Sequence, residues 1–236
     1  MEVIKTNSKK YAECTCIECE LRTMFFENVE RDEMKIICGS KIQHYFRKGE
    51  VIIQEGDPIR NFMYLKSGLV KLYKSDGERE QIIHIAKPYD FVSILSVFSQ
   101  KEYQYSVSAL DDSITCNIAM SDIFEMAGKN SSFALDMMKR MSEVSDRIIQ
   151  EMLEVKKRNL RGRVAFMLLY FANVIYKNDS FELPVSRKEI AEYIGMSTEN
   201  VIRTLSEFRK DKVIKIFGKT IEIVDKEGLD MISRLG

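Results

Sequence analysis

The pattern of hydrophobic and polar positions changes period along this chain. From about residue 41 to 118, apolar residues come in short runs: Val51-Ile52-Ile53, Phe62-Met63-Tyr64-Leu65, Leu69 to Tyr73, Gln81 to Ile85, Tyr105 to Val107 and Ser113 to Ile118. Turns bearing Gly or Asp separate them, at Lys48-Gly49-Glu50, Glu55-Gly56-Asp57-Pro58, Lys66-Ser67-Gly68 and Ser75-Asp76-Gly77. Many short strands at this spacing predict a barrel or jelly roll. From about 121 to 158 the turn signals vanish and the period becomes helical. Met137, Met141, Val144, Ile148, Met152 and Val155 are spaced 4, 3, 4, 4 and 3 apart and form one stripe on a long helix. Glu143, Asp146, Arg147 and Glu151 surround the stripe, which reads as a dimer seam rather than a face packed on its own barrel. Residues 159–176 read as a second apolar helix.

The segment Val185 to Arg203, VSRKEIAEYIGMSTENVIR, has the sharpest local pattern. Ser186 caps a first helix and Glu189, three residues on, completes a capping box. Ile190, Ala191 and Ile194 give that helix its apolar face. Gly195 permits the reversal. Ser197 caps a second helix whose inner face is Val201, Leu205 and Phe208. Thr198, Glu199, Ile202 and Arg203 lie on the opposite face near its start, where a helix entering the major groove N-terminus first reads bases. An ordinary helical hairpin has the same signals. The next segment tips the balance: Lys212 to Asp225, KVIKIFGKTIEIVD, alternates on both sides of Phe217-Gly218-Lys219, a hairpin signal. A helix-turn-helix leading into a basic hairpin is a winged-helix arrangement.

Charge sharpens this picture. The net charge is zero, but from Lys156 onward there are 16 Lys+Arg against 11 Asp+Glu, so the C-terminal part is positive and the remainder negative. A positive domain suits phosphate backbones. No apolar run approaches a membrane span, and the start of the chain has no apolar signal core, which places the protein in the cytoplasm without membrane contact. The odd set of five cysteines, Cys14, Cys16, Cys19, Cys38 and Cys116, argues against a disulfide scaffold.

Barrel, long helix, then winged helix-turn-helix resembles the Crp–Fnr superfamily of bacterial transcription factors. The resemblance covers nearly the whole chain and is sharpest in KGEVIIQEGDP at 48–58, FMYLKSGLVKLYKSDGERE at 62–80 and SRKEIAEYIGMSTENVIRTLSEFRKDKVI at 186–214. It implies an α+β chain: a cysteine-bearing lead at 1–20, a cyclic-nucleotide-binding-like sensor barrel at 21–120, a dimerisation helix at 121–158 and a winged helix-turn-helix at 159–236. It further implies a homodimer on a palindromic duplex, with half-sites about one DNA turn apart, and RNA polymerase as a further partner. No enzymatic role is expected.

Base-reading positions carry over one at a time. Glu199 stands where the family has a glutamate accepting from cytosine N4, and Arg203 where it has an arginine donating to guanine O6 and N7. Thr198 takes a position that varies between members, and Ile202 one that is usually small and could touch a thymine methyl. Ser186, Arg187, Lys188, Lys215 and Lys219 are placed for phosphate.

The sensor departs from the family. The positions of its phosphate cassette are Val92, Ser93, Tyr105 and Ser106, with no arginine to answer a cyclic phosphate. Ile148 and Ile149 replace the hydroxyl pair that holds adenine. Both changes argue against cyclic AMP bound in the usual way. Cys14, Cys16 and Cys19, with Cys116 in a segment similar to the one holding a fourth ligand, suggest an iron–sulfur cluster. Their Cys-x-Cys-x₂-Cys spacing is tighter than in the family's oxygen sensors. Zinc, free thiols and a merely buried Cys116 stay open. Another ligand in the barrel is a further alternative. A cupin-type metal protein would need about three His and a carboxylate, where this chain has only His44 and His84. A ligand-binding module that ignores DNA would show no salt-dependent duplex binding.

Overall fold

The computed structural model describes residues 29, 30, 33, 41–93 and 95–236. Cys14, Cys16, Cys19 and Cys38 lie outside these. Two compact units divide the chain: one runs to Leu72 and resumes over Ile85–Asp146, and the other comprises Tyr73–His84 and Arg147–Gly236.

The strands coincide with the short apolar runs. They are β1 (Ile42–Phe46), β2 (Val51–Ile53), β3 (Asn61–Ser67), β4 (Val70–Ser75), β5 (Glu80–Ala86), β6 (Ser106–Ala109) and β7 (Ser113–Ala119). β1, β7 and β3 form one antiparallel sheet in that order, and β2-β6-β4-β5 form the second. This is the double-sheet jelly roll that the turn spacing predicts. Phe62, Leu65, Val107 and Ile118 are buried between neighbours. Along β3 the four residues Phe62–Leu65 are all buried, so both faces of that strand are covered. Gly68 turns β3 into β4 at φ +90°, and a Cβ there would lie 2.5 Å from the Asp112 carbonyl oxygen, so only glycine fits.

The helical stretch after the barrel is broken once. α1 (Met120–Lys129) ends at Asn130, which has extended backbone, and α2 (Ser131–Lys156) starts anew. The Asn130 side-chain oxygen accepts from Phe133 N at 3.0 Å, as an N-cap does. The stripe predicted as a seam lies on α2. Met137, Val144, Ile148 and Val155 are buried within the single chain, and Met141 and Met152 are half-buried. The apolar residues left in solvent are Leu135, Met138, Ile149 and Leu153. At about 100° per residue these form a second stripe, roughly 120° round the helix from the first. A face already buried in its own chain is less free to seat a partner than the exposed one.

The other unit is built on α3 (Leu160–Tyr170), which runs into a π-helical turn, Phe171–Ile175. Then come β8 (Ser180–Glu182), α4 (Arg187–Ile194), α5 (Thr198–Lys210), β9 (Ile214–Phe217), β10 (Thr220–Ile223) and α6 (Lys226–Leu235). The sheet order is β8-β10-β9. Val164, Leu168, Phe171, Ile190, Val201, Leu205, Phe208 and Ile221 form its core. No described helix is long and apolar enough to cross a membrane.

Candidate nucleic-acid interface

The capping box of α4 is present in full. Ser186 Oγ accepts from Glu189 N at 3.1 Å, and Glu189 Oε2 accepts from Ser186 N at 2.8 Å. Two of the backbone donors left over at the helix start are thereby satisfied. Gly195 ends α4 in the left-handed region, at φ 67° and ψ 49°, and its N–H donates to the Ala191 carbonyl. Ser197 Oγ then accepts from Asn200 N at 3.3 Å and starts α5. The angle between the two helices thus rests on local chemistry at both sides of the turn.

The inner face of α5 is fixed by burial of Val201, Thr204, Leu205 and Phe208. Its outer face leaves Glu199, Ile202 and Arg203 exposed, with Thr198 half-buried. Arg203 Nη2 donates to Asn200 Oδ1 at 2.9 Å, and its Nε lies 4.0 Å from Glu207 Oε1. The guanidinium is therefore braced along α5 but stays in solvent. The Glu199 carboxyl is held below its usual range, first by its own backbone N–H and then by the Ser197 hydroxyl. It is ionised at neutral pH, a pure acceptor at the positive end of a helix.

Two arginines outside the motif hold it in place, and the sequence pattern pointed to neither. Arg163 on α3 donates from Nη1 to the Ile194 carbonyl at 3.0 Å, closing the C-terminal end of α4. Arg161 donates to Glu207 at 2.7 Å and to Asp211 at 3.0 Å, and its guanidinium sits 5.2 Å from the Phe208 ring centre. These pairs are 31 to 50 residues apart in sequence, and no local signal marks them.

The expected phosphate ligands are spread around this core. Ser186, Lys188, Lys215 and Lys219 are exposed and Arg187 is half-buried. Lys215 Nζ is 2.9 Å from Glu222 Oε1, so a phosphate would have to compete with that carboxylate. Lys188 is more loosely paired, 3.5 Å from Glu192.

In the sensor barrel, the cassette positions are turned to the chain's own needs. Tyr105 OH donates to the Val92 carbonyl at 3.1 Å. Ser93 Oγ accepts from Met63 N at 2.9 Å, and Ser106 Oγ accepts from Glu55 N at 3.0 Å. All four residues are buried. Burial pushes the Tyr105 phenol well above its usual value, with the neighbouring Tyr103 adding to it, so the group is neutral. None of these side chains offers a positive charge. Cys116 is buried on β7, opposite Gln43 on one side and Tyr64 on the other. Among the described residues no group of three or more His, Cys, Asp or Glu could hold a metal ion.

Comparison with known proteins agrees with both halves. Residues 43–130 match the family model of the cyclic nucleotide-binding domain, and residues 162–232 match that of the Crp-like helix-turn-helix domain. Electron transport regulator A of Shewanella oneidensis is 29% identical over 230 residues, covering 92% of this chain and 90% of that protein. The transcriptional activator protein FnrA of Stutzerimonas stutzeri is 28% identical, covering 78% of this chain and 77% of that one. The fumarate and nitrate reduction regulatory protein of Yersinia pestis is 26% identical over 79% of this chain and 76% of its own. Among solved structures, FixK2 from Bradyrhizobium japonicum superposes with a TM-score of 0.72 at 24% identity, covering 81% of this chain and 96% of that one. A crp/fnr-family regulator from Eubacterium rectale gives 0.72 at 20% identity, over 89% of this chain and 97% of that one. At these identities the structural matches speak to the fold.

Proposed function

The chain belongs to the Crp–Fnr superfamily of transcription regulators, and from that premise we propose that it acts as a homodimer reading a palindromic DNA site. One observation carries the reading: α5 presents an ionised Glu199 and a braced, solvent-exposed Arg203 on the face opposite its buried one. An acceptor and a bidentate donor one helical turn apart suit a cytosine N4 and a guanine on neighbouring base pairs. Thr198 and Ile202 flank them and adjust the outer base. Ser186, Arg187, Lys188, Lys215 and Lys219 supply phosphate contacts, which give affinity and register rather than choice. Its relatives are regulators, not enzymes, and RNA polymerase is the natural recipient of the signal. Binding to a selected palindrome and to a scrambled duplex, titrated against salt, tests the reading. It expects a steep salt dependence on both and a large ratio between them. Equal affinity for both would reduce the protein to a nonspecific binder.

The dimer seam in this reading is the exposed stripe Leu135, Met138, Ile149 and Leu153 on α2. Apolar residues at helical spacing, left in water by the single chain, are what a paired helix covers.

The signal reaches the barrel. Cyclic AMP in the usual mode lacks a cationic partner at Val92, Ser93, Tyr105 and Ser106. An iron–sulfur cluster is the reading that the cysteines support, and one relative is named for fumarate and nitrate reduction. Four thiolates are the donor set such a cluster takes, and Cys14, Cys16, Cys19 and Cys116 would hold it. When bound, it would supply oxygen-sensitive redox chemistry. Anaerobic purification tests this. Stoichiometric iron and sulfide, lost in Cys116→Ser, support it, and colourless protein from a host able to build clusters speaks against it. A small ligand in the barrel is the second reading, favoured if the protein stays colourless yet regulates.

A further inference from the structure

The unit formed by Tyr73–His84 and Arg147–Gly236 holds a buried polar contact that base reading does not use. His84 on β5 is 3% exposed, and its Nδ1 lies 2.9 Å from Glu151 Oε2 on α2. The Glu151 side chain is 14% exposed, so water competes little for this bond. A buried polar pair demands one geometry where apolar packing tolerates several. Glu151 also faces α4. Tyr193 on α4 lines the same cavity. Burial first, and then the Glu151 charge, push its phenol above the usual value, so it stays protonated. One carboxylate thus lies where β5, α2 and the first helix of the helix-turn-helix converge. Arg163 ties α2 to α4 a second time. Its Nε donates to the Arg158 carbonyl at 2.9 Å and its Nη2 to the Lys156 carbonyl at 3.4 Å, at the end of α2. Its Nη1 donates to the Ile194 carbonyl, at the end of α4.

α2 also carries the exposed Ile149 and Leu153. Each is two residues from Glu151. At about 100° per residue this puts the carboxylate on roughly the opposite side of the helix. One face of α2 is left in water while the other grips β5 and α4. In a dimer built on the exposed face, that grip sets the distance and angle between the two copies of α5. One extra base pair between half-sites moves them about 3.4 Å apart and turns one by about 35° around the duplex axis. A firmly gripped α4 cannot follow such a change, and a loosened one can.

We propose that Glu151, acting through His84, is a positioning residue that sets which half-site spacing the dimer accepts. This rests on the homodimer reading above and adds a determinant of specificity that touches no base. Competition binding tests it, with the full-length protein on its selected palindrome and on versions with one base pair added or removed between the half-sites. Wild type should lose about tenfold or more on either altered duplex. Glu151→Ala and His84→Ala should each shrink that loss to about threefold or less. The double variant should do no more than either alone, because the two act as one pair. Glu151→Gln, whose amide can pair with either ring tautomer, should restore most of the wild-type ratio. His84→Phe fills the buried space without the bond and gives the same test should alanine prevent folding. Arg203→Ala should weaken binding to all three duplexes alike and keep the ratio. Lower thermal stability of the alanine variants with an unchanged spacing ratio would reduce the pair to a structural contact and overturn the proposal alone. Equal loosening by Arg203→Ala and Glu151→Ala would overturn it too. Wild-type protein that binds all three duplexes alike would overturn the homodimer reading with it.

Discussion

Arg203 donates to the side-chain oxygen of Asn200, 2.9 Å away and one turn earlier on the same helix. This bond holds the guanidinium along α5 in an exposed position, so part of the entropy of placing it on a base has been spent before DNA arrives. Arg203→Ala should cost about 1–3 kcal/mol on the selected site and relax choice at one guanine. Asn200→Ala should cost less and leave the preferred base unchanged, because it removes only the brace. Competition binding against single-base variants separates the two. Equal loss on every sequence for Arg203→Ala would make Arg203 a phosphate contact.

Glu199 gives a pH prediction. Its carboxyl is held below its usual range by its own backbone N–H and by Ser197. A depressed value means that the charged form is present above the unfolded value and lost only as pH falls through the folded one. Discrimination at the paired cytosine should therefore stay flat from about pH 8 to about pH 5 and fade only below the ordinary carboxylate range. Glu199→Gln should lower that discrimination at every pH. A midpoint near neutrality would point to a different titrating group.

Arg163 closes the end of α4 by donating to the Ile194 carbonyl. Arg163→Ala should cost about 1–3 kcal/mol of stability, since it leaves a helix-end carbonyl without its charged donor. Urea unfolding monitored by a probe in the C-terminal part would measure this. Binding should weaken through the population that has lost the turn, with no change in which sequence is preferred. A shift in base preference with unchanged stability would contradict the assignment.

The two stripes of α2 make opposite predictions. Met137→Ala, on the buried stripe, should cost about 2–5 kcal/mol of stability and leave the association state alone. Ile149→Glu, on the exposed stripe, should leave the folded chain stable and shift it to monomer, with loss of high-affinity binding to the palindrome. Sedimentation of both variants checks this. Dissociation by the Met137 variant with no effect of the Ile149 variant would restore the buried stripe as the seam.

Legibility in the sequence tracks how local each feature is. The capping box of Ser186 and Glu189, the left-handed Gly195 and the β9–β10 hairpin are local, and their chemistry is complete within a few residues. The barrel was legible because its turns recur at regular spacing. Which face of α2 would pair was not legible, because periodicity reports that a face is apolar and says nothing about what covers it. Two stripes share that helix, and the stronger one is spent inside the chain. Arg161 and Arg163 were invisible for another reason: they sit at the start of a stretch that reads simply as an apolar helix, and their partners lie on elements far along the chain. β8 and α6 also went unanticipated. β8 is only three residues long, and α6 is announced mainly by Asp225, whose side chain accepts from Gly228 N at 2.8 Å.

The central claim is sequence-specific reading by a paired helix-turn-helix, and selection of bound duplexes from random DNA by the full-length protein tests it most directly. The predicted result is enrichment of an inverted repeat with a G·C-containing core and half-sites about one helical turn apart. Arg203→Ala should then flatten one position of each half. Recovery of unenriched sequence, or of a single half-site with no symmetric partner, would contradict the claim.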